Sequence, residues 1–267
     1  MNSVRIDRRD GVGELVLARP ERRNALDYAA VLELLDALSE LDGDDDVGAV
    51  LLYGEGRSFC AGGDLDEFQR GLTNDAYEFH RGGVGWAELM LSIRRMRKPV
   101  VAAPHGHALA GGCGIVAAAD VAIAAAGTAF GTSEITIGLF PIIVYPTLVA
   151  AVGARAAREM ALTGRRLSAD EALRLGLVHR VVPGEEHLET ARSVAGELAA
   201  FGPHALALGK WFMAEVDELP VEQATKFAQT VRGAFMTTPD FAEGLAAFRE
   251  KRPPRFRGAI DDDSVQP

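Results

Sequence analysis

The stretch VVAAPHGHALAGGCGIVAAADVAIAA, residues 100–125, decides the fold of this chain. Its residue pattern predicts a short strand over Val100–Ala103, a helix of small residues over Gly111–Ala118 and a further strand over Val121–Ala125. Strand, helix and strand in this order predict a βαβ unit with parallel strands. Proline, histidine, aspartate and glycine interrupt the stretch, so it indicates buried core rather than a membrane span.

The same alternation extends toward the N-terminus, and the C-terminal part is helical. Strands are predicted over Val12–Ala18 and Val47–Tyr53, with apolar residues at helical spacing between them. From about Glu185 onward the pattern is that of helices, with Pro203 in a first helical turn and Asp240 as the cap of a late helix. We therefore expect an α/β core over residues 1–200 and a helical C-terminal region over residues 201–267.

Composition narrows the class of function. The 267 residues carry a formal net charge of −10, with 48% hydrophobic and 25% charged residues. This is a globular balance that argues against a nucleic-acid partner, since a groove for phosphodiester needs excess Lys and Arg. Cys60 and Cys113 form no CxxC pair, and the first residues lack a signal peptide. We expect a cytoplasmic protein with no membrane partner.

Two glycine-bearing loops are candidates for chemistry: SFCAGGDL at residues 58–65 and HGHALAGGCG at residues 105–114. Glycine exposes its backbone N–H to a ligand, and the start of a helix near Gly111 adds positive potential. Two such N–H groups aimed at one point would form an oxyanion hole for a thioester enolate. Spacing alone leaves the simpler explanation open, in which the glycines only make turns and close packing contacts.

The chain resembles the crotonase (enoyl-CoA hydratase/isomerase) family over nearly its full length. Six blocks in the family's order carry the resemblance: ARPERRNAL (18–26), SFCAGGDL (58–65), KPVVAAPHGHALAGGC (98–113), AFGTSEITIGLFP (129–141), LTGRRLSADEALRLGLVHRVVP (162–183) and DFAEGLAAFREKRPPRFRG (240–258). The resemblance implies a ββα spiral core and a helical C-terminal region that forms homotrimers, often paired into hexamers. It also implies a coenzyme A thioester as substrate, with no separate cofactor.

The resemblance further implies which residues form the site. The oxyanion hole falls on the backbone N–H groups of Gly63 and Gly111, and a basic residue of Lys251–Arg255 could approach the CoA phosphates. The remaining contacts to CoA and the acyl chain are expected from Arg22, Arg23, Ala25, Ala61, Asp64, Leu65, His107 and Leu139. The side chain of Asp64 is expected to accept amides of its own loop. The spacing of His105 and His107, without a third ligand, argues against a metal.

One of two catalytic carboxylates is missing. In the hydratases of the family the first follows GGC, and here that position is Gly114; the second corresponds to Glu134. A single carboxylate suffices to move a proton from one acyl carbon to another, so the sequence favours an enoyl-CoA isomerase with Glu134 as base. The apolar residues 135–143 are expected to bury Glu134 and raise its pKa.

Two other functions stay open. A hydratase or another crotonase-type lyase would need a non-standard second acid, for which Glu78, His80 and Glu88 are candidates. A non-catalytic acyl-CoA-binding protein would bind CoA without proton exchange. Ile142 stands where dehalogenases and dienoyl isomerases of the family have an aspartate. The glycines do not form G-x-G-x-x-G, which disfavours a dinucleotide oxidoreductase.

Overall fold

The computed structural model of the chain describes residues 3–71 and 76–256, with the side chains of residues 70–82 outside that description. Its strands are β1 (Val4–Arg9), β2 (Val12–Leu17), β3 (Ala49–Gly54), β4 (Val100–Ala102), β5 (His107–Leu109), β6 (Val121–Ala125), β7 (Ala129–Gly131), β8 (Leu167–Ser168) and β9 (Arg180–Val182). Its helices are α1 (Tyr28–Gly43), α2 (Leu65–Gly71), α3 (Ala76–Arg95), α4 (Gly111–Ala118), α5 (Val144–Thr163), α6 (Ala169–Leu175), α7 (His187–Ala199), α8 (Pro203–Val216), α9 (Val221–Met236) and α10 (Pro239–Glu250), with 3₁₀ helices at Pro20–Arg22 and Ser133–Ile137.

The strands form two sheets that the chain visits in alternation. The larger sheet has the order β1-β2-β3-β4-β6-β9 and is parallel except for the β1–β2 hairpin, whereas the smaller has the order β5-β7-β8. After β4 the chain enters β5 and then α4, and after β6 it enters β7, a 3₁₀ helix and then α5. Each of these two turns therefore gives a strand to both sheets and then a helix, which confirms the expected ββα spiral. The predicted β4–α4–β6 crossover is parallel, as expected, with β5 inserted in its loop.

The second sheet continues into the loop after β3. Cys60 bridges Ala108 in parallel register, with the Cys60 amide donating to the His107 carbonyl at 3.0 Å and the Leu109 amide donating to the Cys60 carbonyl at 3.0 Å. Ala108 pairs in turn with Phe130 on β7. Residues 60, 108 and 130 thus lie side by side in three successive turns of the spiral, and the segments that follow them begin at one edge of the sheet.

Apolar side chains cover both faces of the larger sheet, because successive residues of a strand point to opposite sides. On one side Val50 and Leu52 of β3 join the main core with α1, α3 and α4. On the other side Ala49 and Leu51 pack with Ala191 and Ala195 of α7. Within the described residues, no helix combines the length and apolar character that crossing a bilayer requires.

The C-terminal helices attach to this core mainly through α8. Lys210, only 6% exposed, forms an ion pair with Asp120 and donates to the Lys98 carbonyl at 3.1 Å. Among themselves these helices are joined by an aromatic cluster of Trp211, Phe212, Phe227 and Phe235.

The prediction that Asp240 caps its own helix is wrong. The Thr238 hydroxyl accepts the Phe241 amide at 3.2 Å and begins α10, while Asp240 accepts the Ala205 amide at 2.9 Å and so caps the first turn of α8. Asp240 is a tertiary link between two helices, and such a link leaves no local pattern in the sequence.

Candidate active site

Gly63 and Gly111 occupy equivalent positions in adjacent turns of the spiral. Each lies three residues beyond a member of the Cys60–Ala108 pair, so the parallel register carries both to the same edge of the smaller sheet. Gly111 is the first residue of α4, where the amide has no partner within the helix. Among the residues that the structure describes, neither glycine amide has an acceptor. Two free N–H groups in neighbouring loops are what an oxyanion hole requires.

The two loops touch so closely that glycine is needed at their contact. A β-carbon built on Gly62, whose φ is +96°, would lie 3.2 Å from the Gly111 nitrogen and 3.0 Å from the Leu109 carbonyl oxygen. A β-carbon on Gly112 would lie 2.4 Å from the Cys60 carbonyl oxygen. The distance of 2.4 Å is shorter than a β-carbon tolerates, and those of 3.0 and 3.2 Å would force the neighbouring backbone to shift, so a larger residue at either glycine would push the turns apart.

The turn before α4 is strained. Ala110 adopts φ 50° and ψ −122°, a region that residues with a β-carbon rarely enter. Its amide donates to the Gly131 carbonyl at 2.8 Å, which fixes the turn against β7. Such backbone strain is typical of functional sites, where the surrounding structure holds a conformation that the residue itself disfavours.

Glu134 enters the same region from the third turn of the spiral. It lies four residues beyond Phe130, the partner of Ala108, in the first turn of the 3₁₀ helix after β7. Its Oε2 atom is buried and has no hydrogen-bond partner among the described residues. Burial raises the pKa of the Glu134 carboxyl above its ordinary value of 4.5, as expected from the sequence. A partly desolvated carboxyl group with one unpartnered oxygen is suited to exchange a proton with a ligand.

The apolar residues expected to bury Glu134 are only partly buried themselves. The apolar residues after Glu134 are largely exposed, with 60% exposure at Ile137, 45% at Leu139 and 67% at Ile142. The carboxylate instead lies near α4, where its charge and, more strongly, burial raise the pKa of the Cys113 thiol to about 12. The neighbouring turn of the spiral therefore contributes to the surroundings of Glu134, alongside those residues of its own segment that are buried.

Aromatic and apolar side chains cover the loops of the site. Phe68 of α2 lies against Gly63, and Trp86 of α3 lies against Gly111. Gly114 in α4 faces Met90 and Val144. Of the candidate second acids, Glu88 is exposed and its carboxylate is 3.4 Å from the Ser92 hydroxyl. The side chains of Glu78 and His80 lie outside the described residues.

A basic cluster lies next to these loops, around His107. Partial burial lowers the pKa of His107, and the guanidinium groups of Arg166, Arg23 and Arg57 lower it further. In the described part of the chain, none of the three arginines has a carboxylate partner. The sequence prediction contained Arg23 and His107 but missed Arg57 and Arg166, although Arg57 directly precedes the SFCAGGDL loop.

Two other predicted contacts to CoA are engaged with each other. Arg22 pairs with Asp64 at 3.0 Å and with Asp66 at 2.7 Å. Asp64 is buried and accepts the Asp66 amide at 3.0 Å, which confirms that it satisfies its own loop. Arg252 of the other basic candidate, Lys251–Arg255, pairs with Glu243 at 2.6 Å.

The remaining predicted contact residues surround the loops. The Ala61 amide donates to the Arg23 carbonyl at 3.0 Å, and the Ala25 carbonyl accepts from Arg19 at 3.0 Å. Leu65 is 62% exposed, while the Leu139 amide donates to the Glu134 carbonyl at 3.1 Å. The described residues contain no group of three or more His, Cys, Asp or Glu side chains that could bind a metal ion.

Comparison with known proteins gives a consistent set of matches. Residues 7–259 match the family model described as enoyl-CoA hydratase/isomerase. A crystal structure of an enoyl-CoA hydratase from Mycobacterium smegmatis is 36% identical, with a TM-score of 0.89 and coverage of 95% of this chain and 98% of that one. The short-chain-enoyl-CoA hydratase of Clostridium acetobutylicum is 32% identical across 94% of this chain and 96% of its own length. The crotonyl-CoA hydratase of Syntrophomonas wolfei is 33% identical across 95% and 97%.

The raised pKa of Glu134 gives a testable dependence of stability on pH. The folded protein binds the Glu134 proton more tightly than the unfolded chain, so this residue lowers stability progressively as the pH rises above about 4.5. We expect the free energy of unfolding of Glu134→Gln, relative to the parent, to increase between pH 4 and pH 8. Urea unfolding at fixed protein concentration measures it.

Glu14→Gln is the matched control with the opposite sign. Arg192, at 2.7 Å, lowers the pKa of the Glu14 carboxyl, so this carboxylate stabilises the fold above its unfolded pKa and less as the pH falls through the folded value. Glu14→Gln should therefore lose stability relative to the parent as the pH rises. If the free energies of unfolding of the parent and Glu134→Gln changed in parallel with pH, the assignment of Glu134 as a desolvated carboxyl would be wrong.

Proposed function

This chain belongs to the enoyl-CoA hydratase/isomerase family, and we propose that it is an enoyl-CoA isomerase with Glu134 as its single base. The observation that carries the proposal is the pairing of one buried, unpartnered carboxylate oxygen at Glu134 with a glycine at position 114. Proton transfer between two carbons needs one carboxylate, whereas water addition works best with two. The substrate is a coenzyme A thioester, and no further cofactor takes part.

The proposed reaction proceeds in two proton transfers. A 3-enoyl thioester places its carbonyl oxygen between the N–H groups of Gly63 and Gly111, and Glu134 removes a proton from C2. The electrons of the broken C–H bond move onto the thioester oxygen, where the two amides stabilise the negative charge. Glu134 then returns the proton to C4, which yields the 2-enoyl thioester. A raised pKa suits Glu134 to both steps, because the same group must accept and donate.

A hydratase is the second candidate, and the names of the relatives favour it. The matched proteins from Clostridium acetobutylicum and Syntrophomonas wolfei are named as hydratases. Hydration would require a second group to activate water at C3. Glu88 is the described candidate, but it is exposed.

The first test compares Glu134→Gln with the parent on both substrates. The parent should convert 3-enoyl-CoA to 2-enoyl-CoA, and Glu134→Gln should lose about 10²–10⁴-fold in kcat, because the base is removed while size is kept. Affinity for CoA, measured by calorimetry, should be unchanged.

Glu88→Gln is the control for a second acid and should leave the isomerase rate unchanged. A parent enzyme that consumes only 2-enoyl-CoA, with solvent deuterium entering C2 of a 3-hydroxyacyl product, would contradict isomerisation and favour a hydratase. Binding of CoA without turnover of either substrate would favour a non-catalytic acyl-CoA-binding protein.

The basic cluster around His107 supplies the proposed anchor for the CoA phosphates. The chain carries a net charge of −10, yet Arg23, Arg57 and Arg166 gather without carboxylate partners among the described residues. Arginine binds phosphate oxygens through its forked N–H groups. The cluster adjoins the loop of Gly63, since Cys60 and His107 are joined by a backbone hydrogen bond of 3.0 Å.

The second test separates phosphate binding from chemistry. Arg57→Ala should raise KM for an acyl-CoA by about tenfold, the effect of losing one hydrogen bond to a charged group. It should leave KM unchanged for the matching N-acetylcysteamine thioester, which has no phosphate. Arg9→Ala, on exposed strand β1, is the control. Equal losses with both thioesters would contradict a phosphate contact.

We also propose that the helical C-terminal region joins three copies of the chain, with hexamers formed from pairs of trimers. α9 has no buried residue, although its helix needs tertiary packing to be stable. Large apolar side chains are exposed along α8–α10 and the turns between them: Trp211, Met213, Leu219, Val221, Met236, Phe241, Leu245 and Phe248. Exposed apolar surface of this extent is typical of a protein interface.

The third test is the mass of the assembly in solution. Sedimentation equilibrium should give three or six times the chain mass of 28.4 kDa. Phe248→Asp, at a side chain that is 83% exposed, should lower that mass because it places a charge in the apolar interface. A parent protein that sediments as a monomer would contradict the proposal.

A further inference from the structure

The space beside Gly114 is filled by two apolar side chains. A β-carbon built on Gly114 would lie 3.1 Å from the sulfur of Met90 and 3.1 Å from both γ-methyl carbons of Val144. Carbon atoms in ordinary contact are about 3.5–4.0 Å apart, so even a methyl group here requires both neighbours to move. Met90 and Val144 are 2% and 5% exposed. We call these two side chains the apolar plug.

The plug belongs to the walls of the proposed site. Met90 comes from α3, one helical turn after Trp86, which lies against the oxyanion residue Gly111. Val144 is the first residue of α5, and both belong to the same core cluster as Cys113. The thiol of Cys113 lies near the carboxylate of Glu134. The plug therefore occupies the side of α4 on which an additional acid at position 114 would stand.

The chemistry of the plug excludes water as well as a carboxylate. A buried water needs about two to four polar partners, whereas a thioether is a weak acceptor and a valine side chain offers none. On the proposed function, from which this step follows, we infer that Met90 and Val144 determine the outcome of the reaction. They keep water from C3 of the 2-enoyl product, so the thioester leaves unsaturated. Hydration would instead form a C3–O bond and a C2–H bond.

The test restores both missing elements, an acid and the room for it. In Gly114→Glu/Met90→Ala/Val144→Ala, the ratio of 3-hydroxyacyl-CoA to 2-enoyl-CoA formed from 3-enoyl-CoA should rise by about 10²-fold or more. Proton NMR in ²H₂O follows both products in one sample. Gly114→Glu alone should show a lower melting temperature and no gain in hydration, since the plug still occupies the space.

Two controls separate the acid from the loosened core. Gly114→Gln in the same double-alanine background has the same size without the acid, and its product ratio should rise by no more than about tenfold, because water is admitted but no acid activates it. Gly114→Glu/Met160→Ala removes a methionine that is also fully buried in this cluster but lies farther along α5. Its ratio should also stay unchanged.

A conservative variant decides the question where the triple variant fails to fold. Val144→Thr keeps the shape of the side chain and adds one hydroxyl that can bind water at the plug, so the product ratio should rise by about tenfold. A folded triple variant, or Val144→Thr, that retains the parent ratio would overturn the role of the plug. A parent that does not isomerise 3-enoyl-CoA would instead overturn the proposed function.

Discussion

The parallel pairing of Cys60 with Ala108, and of Ala108 with Phe130, is the constraint on which the candidate site depends. In parallel strands the same register continues from turn to turn, so residues at equal distances beyond the pairs reach one edge of the sheet together. Gly63 and Gly111 lie three residues beyond Cys60 and Ala108, and Glu134 lies four residues beyond Phe130, so all three follow the paired positions closely although about 70 residues separate Gly63 from Glu134. The proposed oxyanion hole and base are thus a consequence of strand register.

Close contact between turns requires small residues, and the glycines of the two loops make different kinds of contact. Gly62 and Gly112 allow the backbone of one turn to touch that of the next. The amides of Gly63 and Gly111 are free of acceptors among the described residues, and the side chains of Phe68 and Trp86 pack against these two glycines. Ala110 turns the chain from β5 into α4 through a strained backbone conformation. Such a conformation costs about 1–3 kcal/mol. These close contacts therefore surround the two amides that would bind a thioester oxygen.

Sequence reasoning located those elements whose pattern is local. The predicted α4 and β6 have the bounds that the structure gives, because small-residue and β-branched runs distinguish them. The strands β5 and β7 were missed, since three residues show no periodicity and their pairing is tertiary. The partners of Asp240 and the approach of Arg166 to His107 arise between distant segments in the same way. Their roles follow from folding rather than from a motif.

The contrast between Glu134 and its sequence neighbours shows how the fold controls the chemistry. In a 3₁₀ helix, residues three apart lie on the same side, so Glu134 and Ile137 share one side of this helix although Glu134 is half-buried and Ile137 is 60% exposed. The electrostatic environment of the carboxyl then depends on what α4 and its neighbours present. Glycine at position 114 removes a second acid, and Met90 and Val144 occupy its space with apolar atoms. On the proposed function, a change of these two packing residues on other helices would therefore alter the reaction without touching Glu134, because the adjoining side chains would decide whether water reaches the substrate.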